Sequence, residues 1–385
     1  MKTFIKNSST LRLVAITLTL LTILILQISF SSINTSFPSK YTLSSSENQR
    51  RENSKRLQKL YNQCQNYKSN LPVRLTQAAY NYLPQALNVL EATSYNKQGL
   101  IAACIPPKSG RTNWYTLLYA IYENTTIDEA VQYKKEAGGD FYFSLPKLLS
   151  NSKKVMKNGK YIFTSNKSSQ NLAQIPFYIR TLIEKLKIGV DEKVTYSARK
   201  ISKQNQAILN VRHPFTRLLS AWRSKFTVYS KTEIAKAFKK NIDKCKQLDR
   251  IHEWESPKKK YCSFKAFIRM LVTDLTQDNI ANGLINEHFL PITYYCAPCL
   301  LPYTQIIKAE TSEADSKLFL SNLGISHLTL PGRYEQSLVK GDTIENQLLS
   351  AKEYYNDIDK QEILKLYEIF YWDFQLFGYN VDQFL

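Results

Sequence analysis

Two short stretches gather cationic, hydroxyl and amide side chains where an apolar run turns into a helical pattern. The first is Pro107, Lys108, Ser109, Gly110, Arg111, Thr112 and Asn113. Apolar residues 100–105 precede it, and Trp114, Leu117, Leu118 and Ile121 follow at helical spacing. The second is Arg212, His213, Pro214, Phe215, Thr216, Arg217, Leu218, Leu219 and Ser220. It is preceded by residues 207–211, in which Asn210 is the polar exception. Phe215, Leu218, Leu219 and Trp222 recur at i, i+3, i+4 and i+7, the inward face of a helix, and Pro214 suits its first turn. A strand that turns into a helix start presents backbone N–H groups and the positive end of the helix dipole, which suits an anion. Two such starts predict a ligand with two separate anionic groups. Arg212 supplies a planar fork for one of them, with Ser220 beside it.

The first stretch is not the nucleotide-triphosphatase loop, which requires G-x-x-x-x-G-K-[ST]. Lys108 comes before the loop's only glycine, Gly110, and no acidic strand end for magnesium is evident. The elements that position these residues alternate short strands with helices, which predicts an α/β fold with a mostly parallel central sheet. Its ligand belongs at the carboxyl ends of the strands. Further helical periodicity covers residues 264–275 and 360–374, and no internal repeat is evident.

The chain has 385 residues, with 52 Lys and Arg against 32 Asp and Glu, a formal charge of +20. Such a balance points to a polyanionic partner. No nucleic-acid motif accompanies it, so an anionic glycan or membrane surface is expected rather than nucleic acid. Residues 13–30 are uncharged and apolar or hydroxyl-bearing, broken only by Gln27. They suffice for a membrane span. Lys2, Lys6 and Arg12 lie upstream of this run, and the next cation is Lys40. The expectation is a signal-anchor with residues 1–12 in the cytosol and the remainder in the lumen, a cleaved signal peptide being the rival. Residues 31–70 are polar and read as a flexible stem, which leaves 71–385 as the lumenal domain.

Six cysteines fit an oxidising compartment. Cys296 and Cys299 are close enough for a local disulfide, though each has other possible partners. Cys245 and Cys262 bracket a charged excursion that they would close, and Cys64 and Cys104 remain. A single C-x-x-C does not make a zinc site, so no metal is expected. Asn7, Asn34, Asn124 and Asn166 stand in N-x-S/T sequons.

At its motifs the chain resembles the Golgi carbohydrate sulfotransferases of the HNK-1, chondroitin 4-O and dermatan 4-O group. The first stretch resembles that family's P-K-x-x-x-T-N-W, and the second its V-R-x-P-F-x-R-L-x-S-A. Asn286-Glu287-His288-Phe289 with Cys296-Ala297-Pro298-Cys299 resembles its N-x-H-W…C-x-P-C block. Asp373-Phe374-Gln375-Leu376-Phe377-Gly378-Tyr379 resembles its D-F-x-x-F-x-Y. The chain departs from the family at Ser109-Gly110-Arg111, at His213, where an acidic residue is more usual, and at Phe289, where Trp is usual.

The resemblance implies a sulfotransferase fold and transfer of a sulfuryl group from 3′-phosphoadenylyl sulfate (PAPS) to a glycan hydroxyl at the Golgi membrane. Pro107 to Asn113 would hold the phosphosulfate, and Arg212 to Ser220 the 3′-phosphate. Lys108 would neutralise the leaving oxygen, helped by Arg111 and Thr112. His288 would be the general base, with Glu287 the runner-up. The alternatives are a catalytically inactive relative that binds PAP or glycan, and a P-loop-type nucleotide phosphotransferase.

Overall fold

The computed structural model describes residues 45–66, 75–94, 97–137, 156–157, 160–161, 206–227, 238–252, 262–301, 303–332 and 344–385. The chain divides into Met1–Asn48 and Gln49–Leu385. Only the opening of the first helix is described in the former. The run at 13–30 and the sequons at Asn7, Asn34 and Asn166 lie outside the described residues. Among those described, no helix is long and apolar enough to cross a membrane.

Helices α1 (Ser45–Asn66) and α2 (Leu75–Ala86) precede strands β1 (Leu87–Ser94) and β2 (Lys97–Cys104). Next come α3 (Arg111–Glu123), α4 (Ile127–Ala137), β3 (Gln206–Val211) and α5 (Pro214–Lys225). After them follow α6 (Lys239–His252), α7 (Phe264–Asp274), α8 (Gln277–Ala281), α9 (Ile292–Cys296) and β4 (Gln305–Lys308). Three helices finish the chain: α10 (Ser312–Leu323), α11 (Ile344–Asn356) and α12 (Lys360–Phe377). A separate ribbon pairs Met156–Lys157 with Lys160–Tyr161.

The sheet order is β1-β2-β3-β4. β2, β3 and β4 run parallel, with Cys104 beside Leu209 and Val211 beside Lys308. β1 is an antiparallel edge strand, so the expected parallel sheet is its three-strand centre. Side chains of a strand alternate between faces. Ile101, Ala103, Ile208 and Ile307 therefore pack with Trp114, Leu117 and Phe319 from α3 and α10. Ala102, Cys104, Leu209, Val211 and Ile306 pack with Phe215, Phe267 and Phe370 from α5, α7 and α12. This makes a sheet between two helical layers, the architecture expected of an α/β chain.

The structure corrects one expectation and resolves a pairing that the sequence left open. Residues 31–70 do not form a flexible stem throughout, because α1 packs on the folded unit. Asn53, a buried side chain, accepts from the Ile306 amide (3.1 Å) and donates to the Thr304 carbonyl (3.1 Å). Arg56 donates to Asp315 at 2.9 and 3.0 Å and to the Ile306 carbonyl at 3.0 Å. α1 thus satisfies the outer edge of β4, whose backbone groups would otherwise lack partners. Low mean hydropathy concealed this, because the helix docks through polar side chains.

The pairing left open is that of the cysteines. Cys296 and Cys299 do not join each other. Cys104 pairs with Cys296 and Cys64 with Cys299. Both members of the C-x-x-C turn are thereby spent on distant strands and helices. Cys245–Cys262 closes its excursion as expected. With all six thiols oxidised, none is left as a thiolate ligand for zinc.

Candidate active site

The site forms where the three parallel strands end. β2 runs into the turn 105–110, β3 into Arg212 and His213, and β4 into Lys308 and Glu310. Gly110 (φ 88°) and Lys108 (φ 69°) both adopt left-handed backbone. Glycine enters this region freely, whereas for lysine it is uncommon. Ser109 Oγ, itself buried, donates to the Pro106 carbonyl at 2.6 Å and closes the turn. α3 then starts at Arg111, three residues before the helical spacing that the sequence showed from Trp114, and α5 starts at Pro214, as expected.

The loops are fastened to one another. Arg212 donates to the Lys108 carbonyl (3.0 Å) through Nη1 and to Thr216 Oγ1 (3.2 Å) through Nε. The two segments are therefore in direct contact. The His213 amide donates to Glu310 at 2.9 Å, and the Tyr379 hydroxyl donates to the other oxygen of Glu310 at 3.0 Å. Thr112 and Asn113 lie in the first turn of α3, where Asn113 Nδ2 donates to the Pro331 carbonyl at 3.0 Å. Ser220 lies half-buried one turn beyond Thr216 on α5.

Several expected ligand contacts turn out to be struts. Arg217 is fully buried, and it donates to the carbonyls of Pro107 (3.0 Å), Leu290 (2.8 Å) and Glu287 (3.0 Å). Burial pulls its pKa down to about 10, against the pull of Asp373, so it remains charged. Its position is fixed by those three carbonyls, which makes it a tie between the loop and the 287–290 segment. His213 accepts from the Phe215 amide and packs among Phe374, Tyr379 and Phe384. It caps α5, and burial lowers its pKa. Phe215, Leu218 and Leu219 belong to the core.

Arg111 is likewise committed. It grips Glu287 with two N–H groups (2.9 and 3.1 Å), and it donates to the Tyr295 hydroxyl (2.7 Å) and to the Ile105 carbonyl (2.9 Å). Burial works against its charge, but Tyr295, Tyr115 and Glu287 hold its pKa above the usual range. Glu287 also accepts from the Tyr295 hydroxyl at 2.7 Å. Burial would raise the Glu287 pKa, yet Arg111 and Tyr295 hold it below the ordinary carboxylate value. A carboxylate so engaged is a poor base.

His288 is arranged differently. Its backbone N–H donates to Asn286 Oδ1 at 3.0 Å, and its ring Nδ1 meets the same atom at 2.9 Å. The backbone group can only donate, so that amide atom is the oxygen. The ring must then donate through Nδ1, which leaves the lone pair on Nε2. Burial, then Lys225, Arg111, Lys108 and Arg217, push the His288 pKa far below its usual value. The imidazole is therefore neutral in the ligand-free protein, and it becomes an effective base only once an anionic ligand offsets those cations.

Lys108 stands out electrostatically. Burial, and then Lys225, Arg212 and Arg111, depress its pKa to about 7. Cations crowd the site while the carboxylates that the described residues bring there are already engaged, Glu287 by Arg111 and Glu310 by the His213 amide and the Tyr379 hydroxyl. Such an excess of positive charge fits a polyanionic ligand. The terminal block Asp373–Tyr379 buttresses this arrangement. Buried Asp373 accepts from the amides of Ile292 (2.7 Å) and Thr293 (2.8 Å) and so fixes the start of α9, which carries Tyr295. Lys225 was missed by sequence reasoning. Its only signal was a cation in the last turn of α5.

A family model described as "Sulfotransferase family" matches residues 92–380, well over half of the chain. Carbohydrate sulfotransferase 11 of Mus musculus is 30% identical over 184 residues, covering 48% of this chain and 49% of that protein. Carbohydrate sulfotransferase 10 of Homo sapiens is 27% identical over 240 residues, covering 59% and 62%. The chain thus spans about half the length of the first of these curated relatives. No solved structure matches. The match takes in all four sequence blocks and the three parallel strands that bring them together, and the chain belongs to the sulfotransferase family.

Proposed function

We propose that this protein transfers a sulfuryl group from PAPS to a hydroxyl of an anionic glycan in the Golgi lumen. The observation that carries this reading is the pair of linked helix starts, joined by the Arg212–Lys108 hydrogen bond and surrounded by unbalanced cations. A donor with a 5′-phosphosulfate and a 3′-phosphate has one anion for each start. Pro107 to Asn113 would hold the first, and Arg212 with Thr216 and Ser220 the second. Names of relatives such as carbohydrate sulfotransferase 11 support a carbohydrate acceptor. Three disulfides support an oxidising compartment, and residues 13–30 would anchor the chain in its membrane.

In the transfer, the acceptor oxygen forms a bond to sulfur while the bond from sulfur to the bridging oxygen breaks. The electron pair of that bond stays on the phosphate. Lys108 neutralises the charge that grows there, an interaction that strengthens along the reaction. His288 Nε2 takes the hydroxyl proton. Glu287 and Arg217 act by positioning, since they orient Arg111, the loop and the 287–290 segment.

The test is incubation of the purified protein with labelled PAPS and a panel of sulfated, uronic-acid and neutral glycans. Label transferred to an anionic glycan is the expected result. Binding of PAP with no transfer to any glycan would identify an inactive relative instead.

A further inference from the structure

We propose that Lys225 is a second lysine of the transfer site, whose ammonium faces the sulfate oxygens of the group in flight between Lys108 and His288. This rests on the sulfotransferase reading above. Arg217, Ala221 and Lys225 stand at i, i+4 and i+8 on one ridge of α5. Arg217 fixes the direction of that ridge, because it donates to the carbonyls of Glu287 and Leu290. Further along, Phe226 packs on Phe289 with ring centroids 5.7 Å apart. The C-terminal end of α5 is therefore held against the segment that carries His288.

Lys225 Nζ lies over the Phe238 ring, 5.2 Å from its centroid. The same ring meets His288 edge-to-face at 5.3 Å. Phe238 is a buried ring that meets both the ammonium and the imidazole. A cation over an aromatic face is held without losing its charge. Lys225 has no carboxylate of its own among the described residues. Burial lowers the Lys225 pKa and Glu287 raises it from a distance, but Glu287 is already taken by Arg111 and Tyr295.

Charge relations agree with this placement. After burial, Lys225 is the largest influence that depresses the pKa of Lys108, and again the largest on His288. One ammonium is thus the dominant cationic neighbour of both groups between which sulfur must pass. Lys108 then serves the leaving oxygen, His288 the incoming hydroxyl, and Lys225 the non-bridging sulfate oxygens. Lys225 gains and loses no proton in the step. The hydroxyl proton goes to His288, and the electron pair of the broken bond goes to the phosphate.

The experiment compares Lys225→Ala and Lys225→Arg with Arg223→Ala in the full chain. Arg223 removes the same charge from the same turn, but it donates to Ser350 and lies over Tyr354 instead. Lys225→Ala should lower kcat by about 10²-fold, with acceptor KM, thermal melting and, at pH 6 where Lys108 is charged in both proteins, PAP affinity close to the parent protein. Lys225→Arg should recover part of that loss, because its charge can still sit over Phe238. Arg223→Ala should keep the parent kcat. A rise in acceptor KM with kcat unchanged would overturn the proposal and make Lys225 an acceptor anchor. Equal kcat losses in the Arg223 and Lys225 variants would overturn it too, as a general field effect. Should the parent protein transfer no sulfuryl group at all, the functional reading fails along with it, and that result is visible before any variant is made.

Discussion

The depressed pKa of Lys108 makes donor binding a proton-linked event. In the ligand-free protein its ammonium loses its proton near pH 7, because burial and the charges of Lys225, Arg212 and Arg111 disfavour it. An anionic ligand selects the charged form. Below pH 7 the lysine is already protonated, and binding needs no proton. Above pH 7 it is neutral, so each binding event must take up a proton, and affinity falls as pH rises. Linkage gives about a tenfold loss of affinity per pH unit above 7, and hence about 10²-fold between pH 7 and 9. The phosphates of PAP do not mask this, since their second ionisation, near pH 6, is complete by then. Calorimetric titration with PAP at pH 6 to 9, in buffers of different ionisation enthalpy, measures both the affinity and the proton uptake. Lys108→Arg should flatten the profile, because a guanidinium stays charged throughout. A parent protein whose affinity is level from pH 7 to 9, with no proton uptake at pH 8, would refute the reasoning.

Four further variants test named contacts. Arg56→Ala leaves Asp315 buried with its ion-pair partner removed, so chemical denaturation should show a loss of about 3–5 kcal/mol. Replacing Cys104 and Cys296 together by Ser should cost about 2–5 kcal/mol. It should also reduce turnover at permissive temperature, because that bridge ties the base of the Lys108 loop to α9. The Cys245, Cys262 double variant should lose stability while keeping turnover. His288→Ala should lower kcat without altering PAP affinity. In the parent protein kcat/KM should show no acid limb near pH 6.5, because burial and four cations keep the imidazole neutral there. A limb at that pH that vanishes in the variant would contradict the electrostatics.

How much of this was legible in the sequence depended on whether the signal was local. The start of α5 at Pro214 and the strands feeding both helices were read correctly, whereas Arg111 to Asn113, read as part of the turn, already belong to α3. Hydrophobic period and turn chemistry are properties of neighbouring residues. The ends of α7 and α12 fell within a few residues for the same reason. The order of the four blocks likewise disclosed the family, since each block carries its residue types in sequence. β1 was not separated from β2, and the docking of α1 was lost, because Asn53 and Arg56 look like solvated residues until Ile306 and Asp315 face them.

Side-chain roles divided along the same line. The sequence determined which residues gather at the strand ends, and so the expectation of an anionic ligand. Only the tertiary structure decided which cations remain for that ligand. Arg217 and Arg111 are as basic as Lys108 in the sequence, yet carbonyls and Glu287 claim them. Lys225 carried only the weak signal of a helix end, yet the ridge of α5 and the Phe238 ring bring it beside His288. A charge is a property of the residue. Its availability is set by hydrogen-bond partners and desolvation, which come from segments far away in the chain, and these are fixed only when the chain has folded.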